Sequence, residues 1–178
     1  RLLGFLMSTD LDLMASEPHF VDLEFFPMDS PALDINCGAG IFARHMIGLG
    51  HFTFMTEPHP HTQIARYQGM AILRKAIVPK SKVGAREVKI EGGDSVWVSA
   101  LTIDMLSQTL GVESWGVVRI GMDDPDAMGV LLDLPGPLAH QIVVRLDESH
   151  FESVMQHLGQ WYRPHLQNKM CVSFVLAR

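Results

Sequence analysis

The chain has 178 residues, 47% hydrophobic and 19% charged, which suits one continuous core without disulfides or a structural metal and argues against extended disorder. A net charge of −6 with scattered Lys and Arg disfavours nucleic acid or an anionic membrane as partner, and two cysteines, Cys37 and Cys171, argue against a disulfide framework and for a reducing, cytoplasmic setting. No apolar run approaches the ~20 residues of a membrane span, so a single domain is expected, with 1–31 as lead-in and 32–178 as core.

Residues 1–15 read as a helix, since the apolar stretch at 2–7 lacks the basic start and the length of a signal peptide. Residues 16–31, with Pro18, Pro27 and Pro31, read as an irregular lead-in. A strand is expected at 32–36, a turn through Cys37, Gly38, Ala39 and Gly40, and a helix over 41–49 that Gly50 ends. A second strand, 52–56, stops at Glu57-Pro58-His59-Pro60. A helix at 62–68 and a strand at 71–77 follow, with a basic tip at 80–82.

Residues 87–90 and 95–99 read as short extra strands. Thr102 caps a helix over 102–110 that Gly111 closes, and 115–120 is a buried strand. A helix at 126–132, a strand at 141–146 and an amphipathic helix at 148–158, apolar at Phe151, Val154, Met155 and Leu158, come next. A last strand, 170–176, pairs as a hairpin after Trp161-Tyr162. Strands alternating with helices call for an α/β fold: a doubly wound, Rossmann-like sheet, mostly parallel and covered on both faces.

The chemistry concentrates where an apolar strand runs into Gly38-Ala39-Gly40 and then a helix, because glycines there let backbone amides approach a ligand closely. Glu57 ends the next strand, and in a doubly wound sheet that places its carboxylate beside the first turn, where it can accept hydrogen bonds from two ribose hydroxyls. His45, His51, His59 and His61 complete no spacing typical of zinc, so no metal is expected. His59 is expected beside the ligand. Gly38-Ala39-Gly40-Ile41-Phe42-Ala43 also fits the Gly-x-Gly-x-x-Ala turn of an NAD-dependent oxidoreductase, but no Tyr-x-x-x-Lys pair follows.

The order Leu33-Asp34-Ile35-Asn36-Cys37-Gly38-Ala39-Gly40, Phe54-Met55-Thr56-Glu57-Pro58-His59-Pro60, Arg74-Lys75-Ala76-Ile77, Leu101-Thr102-Ile103-Asp104-Met105-Leu106 and Gly116-Val117-Val118-Arg119-Ile120 resembles the FkbM-type methyltransferases over residues 32–162. The resemblance implies a class I methyltransferase fold closed by an antiparallel strand, and S-adenosylmethionine as cofactor. It also implies O-methylation of a hydroxyl on a small-molecule or saccharide acceptor. It carries a cofactor role onto Asp34 (at the methionine end), Asn36, Gly38, Gly40, Glu57 and Lys75, the last near the adenine.

One departure concerns catalysis. Where the family has an acid, this chain has Gly121, followed by Met122, Asp123, Asp124 and Asp126. Asp123 is the candidate that replaces the missing acid and orients or deprotonates the acceptor, while Asp126 is expected to cap the following helix. The loss at Gly121 leaves a non-catalytic, cofactor-binding or interaction domain as the alternative.

Overall fold

A computed structural model describes residues 21–59, 68–89, 93–121, 126–146, 148–167 and 171–177. The strands are β1 (Ala32–Ile35), β2 (Thr53–Thr56), β3 (Met70–Leu73), β4 (Lys75–Ile77), β5 (Gly84–Lys89), β6 (Ser95–Leu101), β7 (Trp115–Ile120), β8 (Ala139–Arg145), β9 (Tyr162–Gln167) and β10 (Cys171–Leu176). The helices are α1 (Ile41–Gly48), α2 (Ile103–Leu110), α3 (Ala127–Leu132) and α4 (Glu148–Leu158). The helices expected at 1–15 and 62–68 fall outside the described residues, apart from Gln68.

Seven strands form the main sheet in the order β3-β2-β1-β7-β8-β10-β9. The pairs from β3 across to β8 are parallel, and β10 runs antiparallel to both β8 and β9. An all-parallel dinucleotide-binding sheet has no such inserted strand. The sequence reading of one strand over 71–77 is corrected here. The strand is interrupted at Arg74: β3 pairs with β2, and β4 pairs with β6 in a separate three-stranded sheet of order β4-β6-β5.

Burial follows the pleat. Leu33, Ile35, Val118, Ile120, Ile142 and Val144 face the larger core, to which α2, α3 and α4 contribute Leu106, Leu131, Val154 and Leu158. Ala32, Val117 and Val143 face the other way and pack against Phe42 and Met46 of α1. Thr102 caps α2 by accepting from the Met105 amide, and Gly111 ends it in the left-handed region at φ 67°. The Trp115 indole N–H, fully buried, donates to Ser107 Oγ at 2.9 Å.

The lead-in forms a strap across the α1 face. The Asp22 amide donates to Gln141 Oε1 at 2.9 Å while Gln141 Nε2 donates back to the Asp22 carbonyl. His165 Nε2 lies 2.6 Å from Asp22 Oδ2. Phe26 fills a notch over Gly116, where a Cβ would meet its ring at 2.5 Å, and lies against His51 with centroids 3.9 Å apart.

Candidate functional site

The strand order reverses at β1, which has β2 on one side and β7 on the other. The crevice beyond the carboxyl ends of the strands at such a point is where open α/β sheets bind ligands. β1 leaves the sheet there through a turn of left-handed residues, Asn36 at φ 53°, Gly38 at 52° and Gly40 at 74°. Asparagine tolerates that region better than other side-chain-bearing residues, and glycine adopts it without penalty. Gly40 occupies the N-cap position of α1, so the first amides of that helix open onto the crevice edge.

Glu57, at the end of β2, is buried and held from two sides. Its Oε2 accepts from the Gly38 amide at 3.0 Å and its Oε1 from the His59 amide at 2.8 Å. Arg74 Nη1 donates to the His59 carbonyl at 2.7 Å, which ties the start of the second sheet to the same loop. A carboxylate offers about four acceptor directions, so both Glu57 oxygens keep capacity for further donors. Side-chain-free turn positions and a preorganised acceptor beside them fit a ribose-bearing cofactor.

Beneath the turn lies an ion pair. Asp34 and Arg119 are register partners in the β1–β7 pair, so their side chains share the α1 face. Both are buried, with Arg119 Nη1 at 3.2 Å from Asp34 Oδ1. The same nitrogen donates to the Asn36 carbonyl at 3.0 Å and the Ile35 carbonyl at 3.3 Å. At Gly121 a Cβ would meet Arg119 Nη1 at 3.0 Å and the Asn36 oxygen at 3.2 Å. The missing acid at 121 therefore has a steric counterpart: the space a side chain would need is bordered by the guanidinium.

Of the residues singled out in the sequence, Asp34, Asn36, Gly38, Gly40 and Glu57 come together at this edge. Lys75 opens β4, half-buried and in register with Ser99 of the second sheet. Asp123 lies outside the described residues. The expected cap by Asp126 is corrected: it occupies the N-cap position of α3, but its side chain makes no capping bond. Its backbone, at φ −90° and ψ −9°, is already helical rather than extended as a capping residue requires, and the carboxylate instead meets Lys82 Nζ and, at 3.6 Å, Arg86 Nη1.

Cys37 is a buried free cysteine. Burial, reinforced by the charges of Asp34 and Glu57, pushes its thiol well above the ordinary range, away from the reactive thiolate. The residue at this edge that the sequence reading gives no role is Arg119; its signal is a lone guanidinium inside the apolar run Trp-Gly-Val-Val-Arg-Ile.

No protein-family model matches the chain, and no curated protein matches it significantly. Solved structures do. The magnesium protoporphyrin IX methyltransferase of Synechocystis, with bound S-adenosylmethionine, superposes with a TM-score of 0.54 at 10% identity, over 98% of this chain and 81% of that one. A TehB-like S-adenosylmethionine-dependent methyltransferase from Corynebacterium glutamicum gives 0.52 at 12% identity, over 91% and 88%. A glycopeptide N-methyltransferase in complex with S-adenosylhomocysteine gives 0.50 at 12%, over 92% and 90%. With the seven-stranded order and the antiparallel β10, these likenesses show that the chain has the mixed α/β, Rossmann-like fold of the class I S-adenosylmethionine-dependent methyltransferases.

Proposed function

We propose that the protein is an S-adenosylmethionine-dependent methyltransferase that O-methylates a hydroxyl of a small-molecule or saccharide acceptor. The observation that carries the cofactor reading is the Glu57 carboxylate, fixed by the Gly38 and His59 amides at the switch point of a methyltransferase sheet. In this reading Glu57 accepts from the ribose hydroxyls, Asn36, Gly38 and Gly40 line the crevice, and Lys75 approaches the adenine side. Asp34 contributes to the methionine end through the turn that it braces. The acceptor class and the FkbM subtype rest on the residue resemblance, since the fold is shared by methyltransferases of other acceptors, the glycopeptide N-methyltransferase among them.

When bound, S-adenosylmethionine supplies a methyl group on a sulfonium, already a strong electrophile, so the protein's task is to align the acceptor oxygen and exclude water. Asp123 orients that hydroxyl or takes its proton. Asp123→Asn is expected to lower turnover about 10²-fold with cofactor affinity unchanged; unaltered turnover leaves alignment alone as the mechanism.

Glu57→Ala is expected to weaken S-adenosylmethionine binding by about 1.5–3 kcal/mol in calorimetry, the scale of charged hydrogen bonds. Equal affinity removes Glu57 from the site. A non-catalytic cofactor-binding domain is the second reading, favoured by the guanidinium beside Gly121. Tight S-adenosylmethionine binding without turnover on any hydroxyl acceptor would support it.

A further inference from the structure

A buried ion pair adds little net stability over a well-packed apolar pair, so the Asp34–Arg119 pair calls for another explanation. The guanidinium's other partners supply it. Arg119 Nη1 draws the carbonyl oxygens of Ile35 and Asn36 toward β7. Because a trans peptide points its N–H opposite to its C=O, the Asn36 carbonyl aimed at β7 sends the Cys37 amide toward β2, where it reaches the Thr56 carbonyl at 3.1 Å. The next amide, Gly38, faces the same side and reaches Glu57. Gly121 donates its own amide to Ile35 O at 3.1 Å and presents no side chain to the guanidinium.

We propose that Arg119 is a positioning residue for the glycine-rich turn: anchored by Asp34, it fixes the peptide planes that turn the Cys37 and Gly38 amides toward β2 and Glu57, and Gly121 lacks a side chain to admit it. Its effect on binding rests on the cofactor reading above; the latch itself is a property of the turn.

Arg119→Lys keeps the charge but is one bond shorter, which withdraws the nitrogen from the place where Nη1 meets the Asp34 carboxylate and the two carbonyls. Calorimetry on the full chain, run where melting shows the variant folded, is expected to give an approximately tenfold loss of S-adenosylhomocysteine affinity. The backbone amide resonances of Gly38 and Gly40 are expected to shift. A double-mutant cycle with Gly121→Ala, read in unfolding midpoints, is expected to be non-additive, the methyl group costing less once the guanidinium is gone.

Unchanged affinity in folded Arg119→Lys, or an additive cycle, overturns the proposal. If Arg119→Lys does not fold, Gly121→Ala alone decides, with reduced affinity supporting the latch and wild-type affinity rejecting it. If the wild-type protein binds neither S-adenosylmethionine nor S-adenosylhomocysteine, the cofactor reading fails. The stability cycle and the glycine resonances then decide the latch by themselves.

Discussion

Asp34 and Asp126 both meet cations, the first beneath the β1 turn and the second at the start of α3. Asp34 faces a guanidinium that is itself buried, with side-chain exposures of 0% and 3%. Asp126 is also buried, at 6%, but Lys82 opposite it is 59% exposed and Arg86 is 3.6 Å away. Removing the inner cation strands a charge in the interior, whereas removing the outer one leaves a second cation and water to solvate the acid. The same pairing of charges therefore acts as a fixed brace in one place and as an adjustable tether between the second sheet and α3 in the other.

The sharpest way to break this contrast is Arg119→Met, which leaves the Asp34 carboxylate buried beside a thioether. A loss of about 3–5 kcal/mol in denaturant unfolding is expected, and a loss below 1 kcal/mol would place Asp34 in contact with solvent. Lys82→Ala is expected to cost no more than about 1 kcal/mol, shrinking further as salt is added. A cost equal to that of Arg119→Met would erase the distinction.

His51 sharpens the comparison from the neutral side. Its buried Nδ1 has no hydrogen-bond partner among the described residues, and burial holds its pKa below the ordinary 6.5. The unfolded chain therefore takes up the proton first as pH falls. Stability from this group is full above pH 6.5 and declines from there toward the lowered folded value. His51→Phe is expected to remove that decline while changing stability little at about pH 8. A variant whose unfolding midpoint falls with pH as the wild type's does would assign the slope elsewhere. Asp22, lowered chiefly by its hydrogen bond to His165, adds a loss of the same sign only in more acid solution.

The turn and its acid were legible in the sequence because their geometry is written in residue types. Gly38 and Gly40 take positive φ where other residues would be strained, and Glu57 ends a short strand whose position follows from the sheet. Arg119 lies in a strand that reads as buried, but nothing local says what its guanidinium meets inside. Its burial depends on the Asp34 register and on the space beside Gly121, both tertiary facts.

The split at Arg74 was hidden for a similar reason. The charged pair Arg74-Lys75 interrupts the apolar stretch 71–77, but a charged pair by itself does not end a strand, and the division shows only in the pairing of Leu73 with Thr56 and of Lys75 with Ser99. Asp126 was misread because aspartate before a helix normally caps it, and nothing local announces that Lys82, 44 positions earlier, will claim the carboxylate.

The strap at the start of the described chain has a consequence for the order of assembly. Asp22 meets Gln141 across 119 positions and His165 across 143. Closing loops of that length carries an entropic cost that only a formed sheet edge offsets. On a ribosome, where the chain emerges from its amino end, Asp22 is made before either partner exists. The strap is thus made before its partners and locks after them, a seal on a sheet whose later strands have already arrived.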